Sequence, residues 1–187
     1  IKVKELNIHE TQNIAYQILT YIADVCEKNH LTYFLAWGTL IGAIRHRGFT
    51  PWDDDVDIMM PRSDYRRFLA IMKASDNDRY KLYRIGSRQD YYYSLARIVD
   101  TDTIILGERK DPPQQCDCGV FVDIYPLDFV GNTYDEAKKY FDTQAHDEWL
   151  KTLALQQKYV KSRSGWYRSI LKVPFFAYAH AKGYQYF

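Results

Sequence analysis

The segment 51-PWDDDVDIMMP-61 constrains this chain more than any other. Four carboxylates, Asp53, Asp54, Asp55 and Asp57, run directly into an apolar stretch that Pro61 closes. In an extended strand, residues two apart share a face, so Asp55 and Asp57 project together while Val56 and Ile58 pack behind them. Like charges this close repel, and burying even one unpaired carboxylate costs several kcal/mol. A divalent cation answers both problems, because two carboxylates fixed at a strand end form a hard-oxygen clamp suited to Mg²⁺ or Mn²⁺. The plainer alternative is a solvated acidic turn partnered by Arg45, Arg47 or Arg62. A calcium loop fits poorly: Asp53, Asp55 and Asp57 have the 1, 3, 5 spacing, but Ile58 stands where glycine is needed and Asp64 where glutamate is needed.

A second acidic strand is written in 119-GVFVDIYPLD-128, where Asp123 sits among Phe121, Val122, Ile124 and Tyr125. A lone carboxylate in such a run is rarely buried unless it is paired or bound to metal. An ion pair with a sheet arginine such as Arg97 competes with the metal reading. Asp128, after Pro126, reads as a turn cap. Upstream, 37-WGTLIG-42 follows the apolar run 32-TYFLA-36, so Gly38 and Thr39 open a short helix whose N–H groups and hydroxyl suit an anion.

The remaining pattern is a mixture of helices and strands. Asn7 and Glu10 make a capping box for a helix over about 8–29, with Ile14, Ile18, Ile22 and Val25 at helical spacing. Ser63 reads as the N-cap of a helix bearing Tyr65, Phe68, Leu69 and Met72 on one face. Further strands are expected at 80–84, 92–99, 103–106 and 119–125, with a proline-broken mobile loop over 107–118. Thr133 with Glu136 opens a helix expected to run to about Lys161, followed by an aromatic and basic tail from Trp166. This is an α+β plan with a mixed sheet: a core over 1–132 and a helical C-terminal segment over 133–187.

Composition removes several function classes. At 187 residues the chain is long enough for a core that needs no staples. Its 25 basic and 24 acidic residues leave a net charge of +1, which gives no global attraction to nucleic acid. Cys26, Cys116 and Cys118 form no disulfide framework; the default is free thiols in a reducing compartment. No signal peptide and no run of bilayer-spanning length is visible, so a cytoplasmic protein is expected.

In order, a strand, Gly-Thr, a helix, an Asp-x-Asp strand and a later strand aspartate match the core of the nucleotidyltransferase superfamily. The resemblance narrows further. The run 37-WGTLIGAIRHRGFTPWDDDVDIMMPRSDY-65 resembles the signature of the LicD family, which includes the animal fukutin and fukutin-related proteins. The pieces 95-LARIVDTDT-103 and 119-GVFVDIYPLD-128 follow in the order and spacing of that family. The likeness spans roughly 6–128, and the tail carries little signature. Two departures stand out. Arg97 occupies a place where lysine is usual, and Arg and Lys differ in geometry. Members also continue well beyond this length, which puts part of the acceptor site outside 1–187.

The resemblance implies a metal-dependent transferase that moves a phospho-alcohol from a CDP-activated donor to a glycan hydroxyl and releases CMP. Phosphocholine from CDP-choline is the usual bacterial cargo, placed on teichoic acid or lipopolysaccharide precursors. Asp55 and Asp57 become metal ligands, Asp123 a third ligand or the base, and Asp53 an outer or additional ligand. Asp54 points away toward a basic side chain. Gly38 and Thr39 hold a donor phosphate. Arg45, His46, Arg47 and Arg97 neutralise phosphate charge or balance the acidic cluster. Trp37, Trp52 and the 91-YYY-93 run offer aromatic faces for choline, or pack the sheet. Cys116 and Cys118 enter as candidate zinc ligands beside the free-thiol default. The basic, aromatic segment 158–176 suits either contact with the inner face of a membrane bearing a lipid-linked acceptor, or packing. The alternatives are a nucleotidyltransferase releasing pyrophosphate and a non-catalytic module that binds CDP-ligands.

Overall fold

The structure is a computed structural model and describes residues 4–87, 91, 93–104, 118–155, 159, 161 and 165–183. These fall into two compact units, one running through Asp128 and the other from Phe129 onward.

The first unit is built on a five-stranded mixed sheet. Its elements are α1 (Ile8–Lys28), β1 (Phe34–Leu35), α2 (Trp37–His46), β2 (Asp57–Pro61), α3 (Arg62–Ala74), β3 (Tyr80–Tyr83), β4 (Ala96–Asp100) and β5 (Phe121–Leu127). The strand order is β1-β2-β5-β4-β3. β2 and β5 run parallel, and the other neighbours are antiparallel. The α+β expectation holds.

Period-two alternation divides the sheet into two faces. Ile58, Met60, Ile98, Val122 and Ile124 are fully buried against Ile18 and Ile22 of α1 and Phe68 and Met72 of α3. Asp57, Arg97, Asp123 and Phe121 alternate with them and belong to the other face. A continuous apolar core on one side thus leaves the other free for polar chemistry.

Local signals explain most boundaries. The Asn7 side chain accepts from Glu10 N–H at 3.0 Å and Glu10 returns the bond to Asn7 N–H, so the capping box forms. Ser63 is not a cap: α3 begins at Arg62, with Pro61 in the capping position. The fixed φ of Pro61 is compatible with both a strand end and a helix start, so no intervening turn is needed. α2 starts at Trp37, one residue before the expected Gly38. The strand expected over 92–99 occupies 96–100, and residues 103 and 104 are not strand. Thr103 instead accepts from Val120 N–H at 2.8 Å and donates to Asp100 C=O at 3.1 Å, so a side chain takes the bonds of a ladder. Residues 105–117, including Cys116 and most of the expected loop, lie outside the described residues. Cys118 is disulfide-bonded, against the free-thiol expectation, while Cys26 is free and buried. A C-x-C spacing carries no local mark that separates bonded from free sulfur.

The second unit contains α4 (Tyr134–Leu155) and α5 (Trp166–Lys182). Thr133 Oγ1 accepts from Glu136 N–H at 3.2 Å, and Glu136 accepts from Asn132 and Thr133 N–H, which caps α4 as expected. The described part of α4 ends at Leu155, and Tyr159 and Lys161 are not helical. Trp149 and Phe175 meet edge-on at 5.2 Å between the two helices.

Candidate active site

Three neighbouring strands assemble a charged row. Asp57 on β2 is the register partner of Asp123 on β5, which is the partner of Arg97 on β4. Arg97 Nε donates to Asp123 Oδ1 at 2.5 Å and Nη2 donates to Oδ2 at 3.1 Å, with both side chains close to one-tenth exposed. The guanidinium lies between the rings of Tyr93, at 4.2 Å, and Phe121, at 3.8 Å. The ion pair that competes with a metal role for Asp123 therefore exists. It engages both oxygens from one side, and each carboxylate oxygen has a second lone pair to offer.

Asp57 is placed by its own backbone. Its N–H donates to Thr39 Oγ1 at 2.9 Å, and its C=O accepts from Ala36 N–H at 3.0 Å. The Thr39 hydroxyl thus ties α2 to the start of β2. Gly38 has a separate reason to be glycine: a Cβ there would stand 2.5 Å from an Asp53 carboxylate oxygen. The loop before β2 is pinned from α1, where Gln12 Nε2 donates to Asp53 C=O at 2.8 Å and to Thr50 C=O at 3.3 Å. Gln12 was not among the residues expected from sequence, although the signal is present. It falls three residues before Ala15 on the buried face of α1, a polar side chain on an otherwise apolar stripe.

The carboxylates carry surplus negative charge. Burial pushes the Asp57 carboxyl up to about 6, reinforced by Asp55, Asp123 and Asp53 and only partly opposed by Arg97. Asp55 is raised by burial, then by its hydrogen bond to Asp53 and the charge of that neighbour. Burial raises Asp123, against the pull of Arg97. Tyr125 is pushed up to about 12 by burial and then by the charges of Asp123 and Asp57. Such a field favours a cation.

Among the described residues, no three His, Cys, Asp or Glu side chains enclose a metal position by themselves. The donor chemistry fits Mg²⁺ or Mn²⁺ as half a coordination shell. Mg²⁺ is commonly held by one or two carboxylates, with waters and substrate phosphates completing the octahedron. A cavity of about 420 Å³ lies beside Asp53, Asp55, Gly38 and Thr39, with Leu35 and Phe49 among its apolar lining. Its size is that of a small-molecule site.

The other candidates divide. Asp54 is exposed and makes no ion pair among the described residues, so the expected basic partner is absent there. Asp128 is not a turn cap: it accepts from Arg62 Nε at 2.6 Å and from Arg62 Nη2. Arg45, His46 and Arg47 are exposed, and neither arginine pairs with the aspartates. Arg47 also lines the cavity. Trp37 is half exposed and stands edge-on to Tyr125 at 4.6 Å, and Trp52 is exposed beside His46. Tyr91 is buried and donates to Leu95 C=O at 3.0 Å, so it serves packing. Tyr92 lies outside the described residues.

Residues 30–176 match the family described as LicD/FKTN/FKRP, nucleotidyltransferase domain. The chain belongs to this family. It is 37% identical over 133 residues to the lipopolysaccharide cholinephosphotransferase LicD of Haemophilus influenzae, which covers 70% of this chain and 48% of that protein. It is 32% identical over 143 residues to an uncharacterized protein of Rickettsia typhi, covering 74% of this chain and 43% of that one. An uncharacterized Rickettsia prowazekii protein is 41% identical over 98 residues, covering 51% and 34%. The chain thus spans about half or less of the length of the curated relatives it matches.

Proposed function

We propose that this chain is the catalytic part of a transferase that moves phosphocholine, or a related phospho-alcohol, from a CDP-activated donor to a glycan hydroxyl. CMP is the leaving group, and the acceptor is a lipopolysaccharide or teichoic acid precursor, lipid-linked and met at the inner face of the membrane. The observation that carries this reading is the row of Asp57, Asp123 and Arg97 on the polar sheet face, with Asp53 and Asp55 of the preceding loop lining a small-molecule cavity. The similarity to a protein named as a cholinephosphotransferase supports the choline cargo.

One or two of Asp55, Asp57 and Asp123 would hold Mg²⁺ or Mn²⁺, with Asp53 hydrogen-bonded to Asp55 as an outer or additional ligand. The bound ion would supply Lewis-acid stabilisation of charge on the transferring phosphoryl oxygens. Thr39 fixes the Asp57 backbone, and Arg97 fixes the Asp123 carboxylate by holding both of its oxygens. That engagement suits Asp123 to the ligand role over the base role. Gly38 and Thr39 line the cavity and would meet the donor phosphate there, and Arg45, His46 and Arg47 would meet the diphosphate charge. Loose phosphoryl transfer states ask mainly for positioning and charge stabilisation, which these groups supply. Trp37 and Trp52 are the exposed rings free to meet a quaternary ammonium.

In the second unit, α5 turns Trp166, Ile170 and Leu171 outward, which supports membrane contact through 158–176. Lys158 and Arg163 lie outside the described residues. Among the described residues no helix is long and apolar enough to cross a membrane.

The test is incubation with CDP-choline, Mg²⁺ or Mn²⁺ and a glycan acceptor, followed by product analysis. CMP release that Asp57→Ala abolishes in a folded protein is the expected result. Pyrophosphate release from a nucleoside triphosphate would favour the nucleotidyltransferase alternative. Binding of CDP-choline without turnover would favour the non-catalytic one.

A further inference from the structure

The buried face of α1 consists of Gln12, Ala15, Ile18, Ile22 and Cys26, and Gln12 is its one strongly polar member. Gln12 is only 8% exposed, yet its amide is fully used. Nε2 donates to Asp53 C=O at 2.8 Å and to Thr50 C=O at 3.3 Å, which spends both of its N–H groups. The two carbonyls fix the amide with its nitrogen toward the loop, and His9 Nδ1 lies 3.3 Å from the outward Oε1.

Those two carbonyls are the ends of one turn. Asp53 N–H donates to Thr50 C=O at 3.0 Å, closing a four-residue turn with Pro51 in its second place. Gln12 bridges both ends of that turn and ties them to a helix whose next buried residues, Ala15, Ile18 and Ile22, belong to the core.

The turn in turn positions the acidic end of the cavity. Thr50, Asp53 and Asp55 all line it, and Asp53 is hydrogen-bonded to Asp55. The Asp53 carboxylate also packs on Gly38 of α2, where an added Cβ would stand 2.5 Å from its oxygen. Its side chain is therefore held from α2 and its backbone from α1. Neighbouring carboxylates repel until a cation joins them, so a loop free to move would relax by separating them. Fixing the loop beforehand lowers the cost of binding the ion.

We infer that Gln12 is a positioning residue that sets the affinity of this site for a divalent cation, a role that rests on the metal proposed above. It acts through the backbone of the turn and is not among the residues that line the cavity. The family match covers residues 30–176, so this control comes from a helix outside the matched residues.

The experiment titrates Mn²⁺ into the chain at pH 7.5, following the free-ion signal by electron paramagnetic resonance, alongside the thermal midpoint of each metal-free protein. Gln12→Met keeps the length of the side chain and removes both donors. Its Kd for Mn²⁺ should rise roughly tenfold, the equivalent of one or two lost hydrogen bonds. Gln12→Asn, whose amide falls one methylene short of the turn, should weaken binding similarly and serves if Gln12→Met does not fold. Asn7→Ala is the control: it removes the cap of the same helix, so it should lower the midpoint and leave the Kd unchanged. Wild-type Kd in the folded Gln12 variants overturns this role alone, provided that Asp57→Ala still weakens binding. An equal rise in Asn7→Ala also overturns it, because helix stability would then explain the effect. A wild-type chain that binds no Mn²⁺ overturns the metal reading and this role with it.

Discussion

The two units spend their apolar side chains differently. In the first, α1 and α3 close one sheet face with Ile18, Ile22, Phe68, Ile58, Ile98 and Ile124 all fully buried. In the second, α4 and α5 bury Leu150, Leu153 and Ala179 while Trp166, Ile170, Leu171 and Phe141 stay largely exposed. A sheet offers a broad face that two helices can cover, whereas two helices alone meet along a single seam. The first unit is therefore stiff enough to hold carboxylates against their repulsion. The second offers surface more than framework.

The largest expected effect tests whether function sits wholly in the stiff unit. Asp57→Ala should lower CMP release by roughly 10³-fold or more, because the stabilisation a metal supplies is worth several kcal/mol. Its thermal midpoint should not fall, since the substitution removes repulsion. Ile170→Ser in α5 should leave turnover on a soluble acceptor unchanged. Loss of that turnover would break the division between the units.

Next in size is the buried pair. Arg97→Met strands Asp123 in an apolar setting and should destabilise the protein by about 3–5 kcal/mol in denaturant unfolding. Arg97→Lys should recover part of this, because it keeps the charge without the two-toothed geometry. A cost below about 1 kcal/mol for Arg97→Met would show that the sheet is not the rigid support described here.

The acidic row also predicts a pH signature. The Asp57 carboxyl is raised from the ordinary 3.8 to about 6, so between these values the folded chain holds a proton that the unfolded chain has released. Stability without divalent ions should therefore fall as pH rises from about 4 to 6, with Asp55 and Asp123, also raised, acting in the same direction. Asp128 and Glu10, both lowered, act with the opposite sign at more acidic pH. Thermal midpoints in EDTA should show the decline, and Asp57→Asn should flatten it. Added Mg²⁺ should raise the midpoint at pH 7.5 and do little at pH 5.

The smallest effect compares the two caps. Asn7→Ala and Thr133→Ala should each cost about 1 kcal/mol of local helix stability. Hydrogen exchange should register the first as a change in the cooperative core and the second as fraying of α4 alone.

Much of this architecture can be read directly from residue order. The second strand around Asp123, the Gly-Thr helix start and both capping boxes are local signals, because cap chemistry and glycine need only neighbours in the chain; the expected Asp-x-Asp strand held only in part, since β2 begins at Asp57 and leaves Asp55 in the preceding loop. The family resemblance rested on the run 37–65, and the family match covers residues 30–176. Boundaries were less legible where two local preferences compete, as at Pro61 and Ser63, or where a side chain replaces a ladder bond, as at Thr103.

What the tertiary structure alone decided is pairing. The sequence offered Arg62 for the acidic turn and either metal or Arg97 for Asp123; strand order put Arg97 on Asp123 and left Asp128 to Arg62. It also placed Gln12 under the aspartate loop and turned the apolar face of α2 outward. Periodicity determines which residues share a face of one element. Which face meets the core, and which charge meets which, depends on partners distant in sequence. The aspartates needed a sheet and a positive charge from the outset; only the fold could supply Arg97 from one strand away and leave the rest of that charge to a ligand.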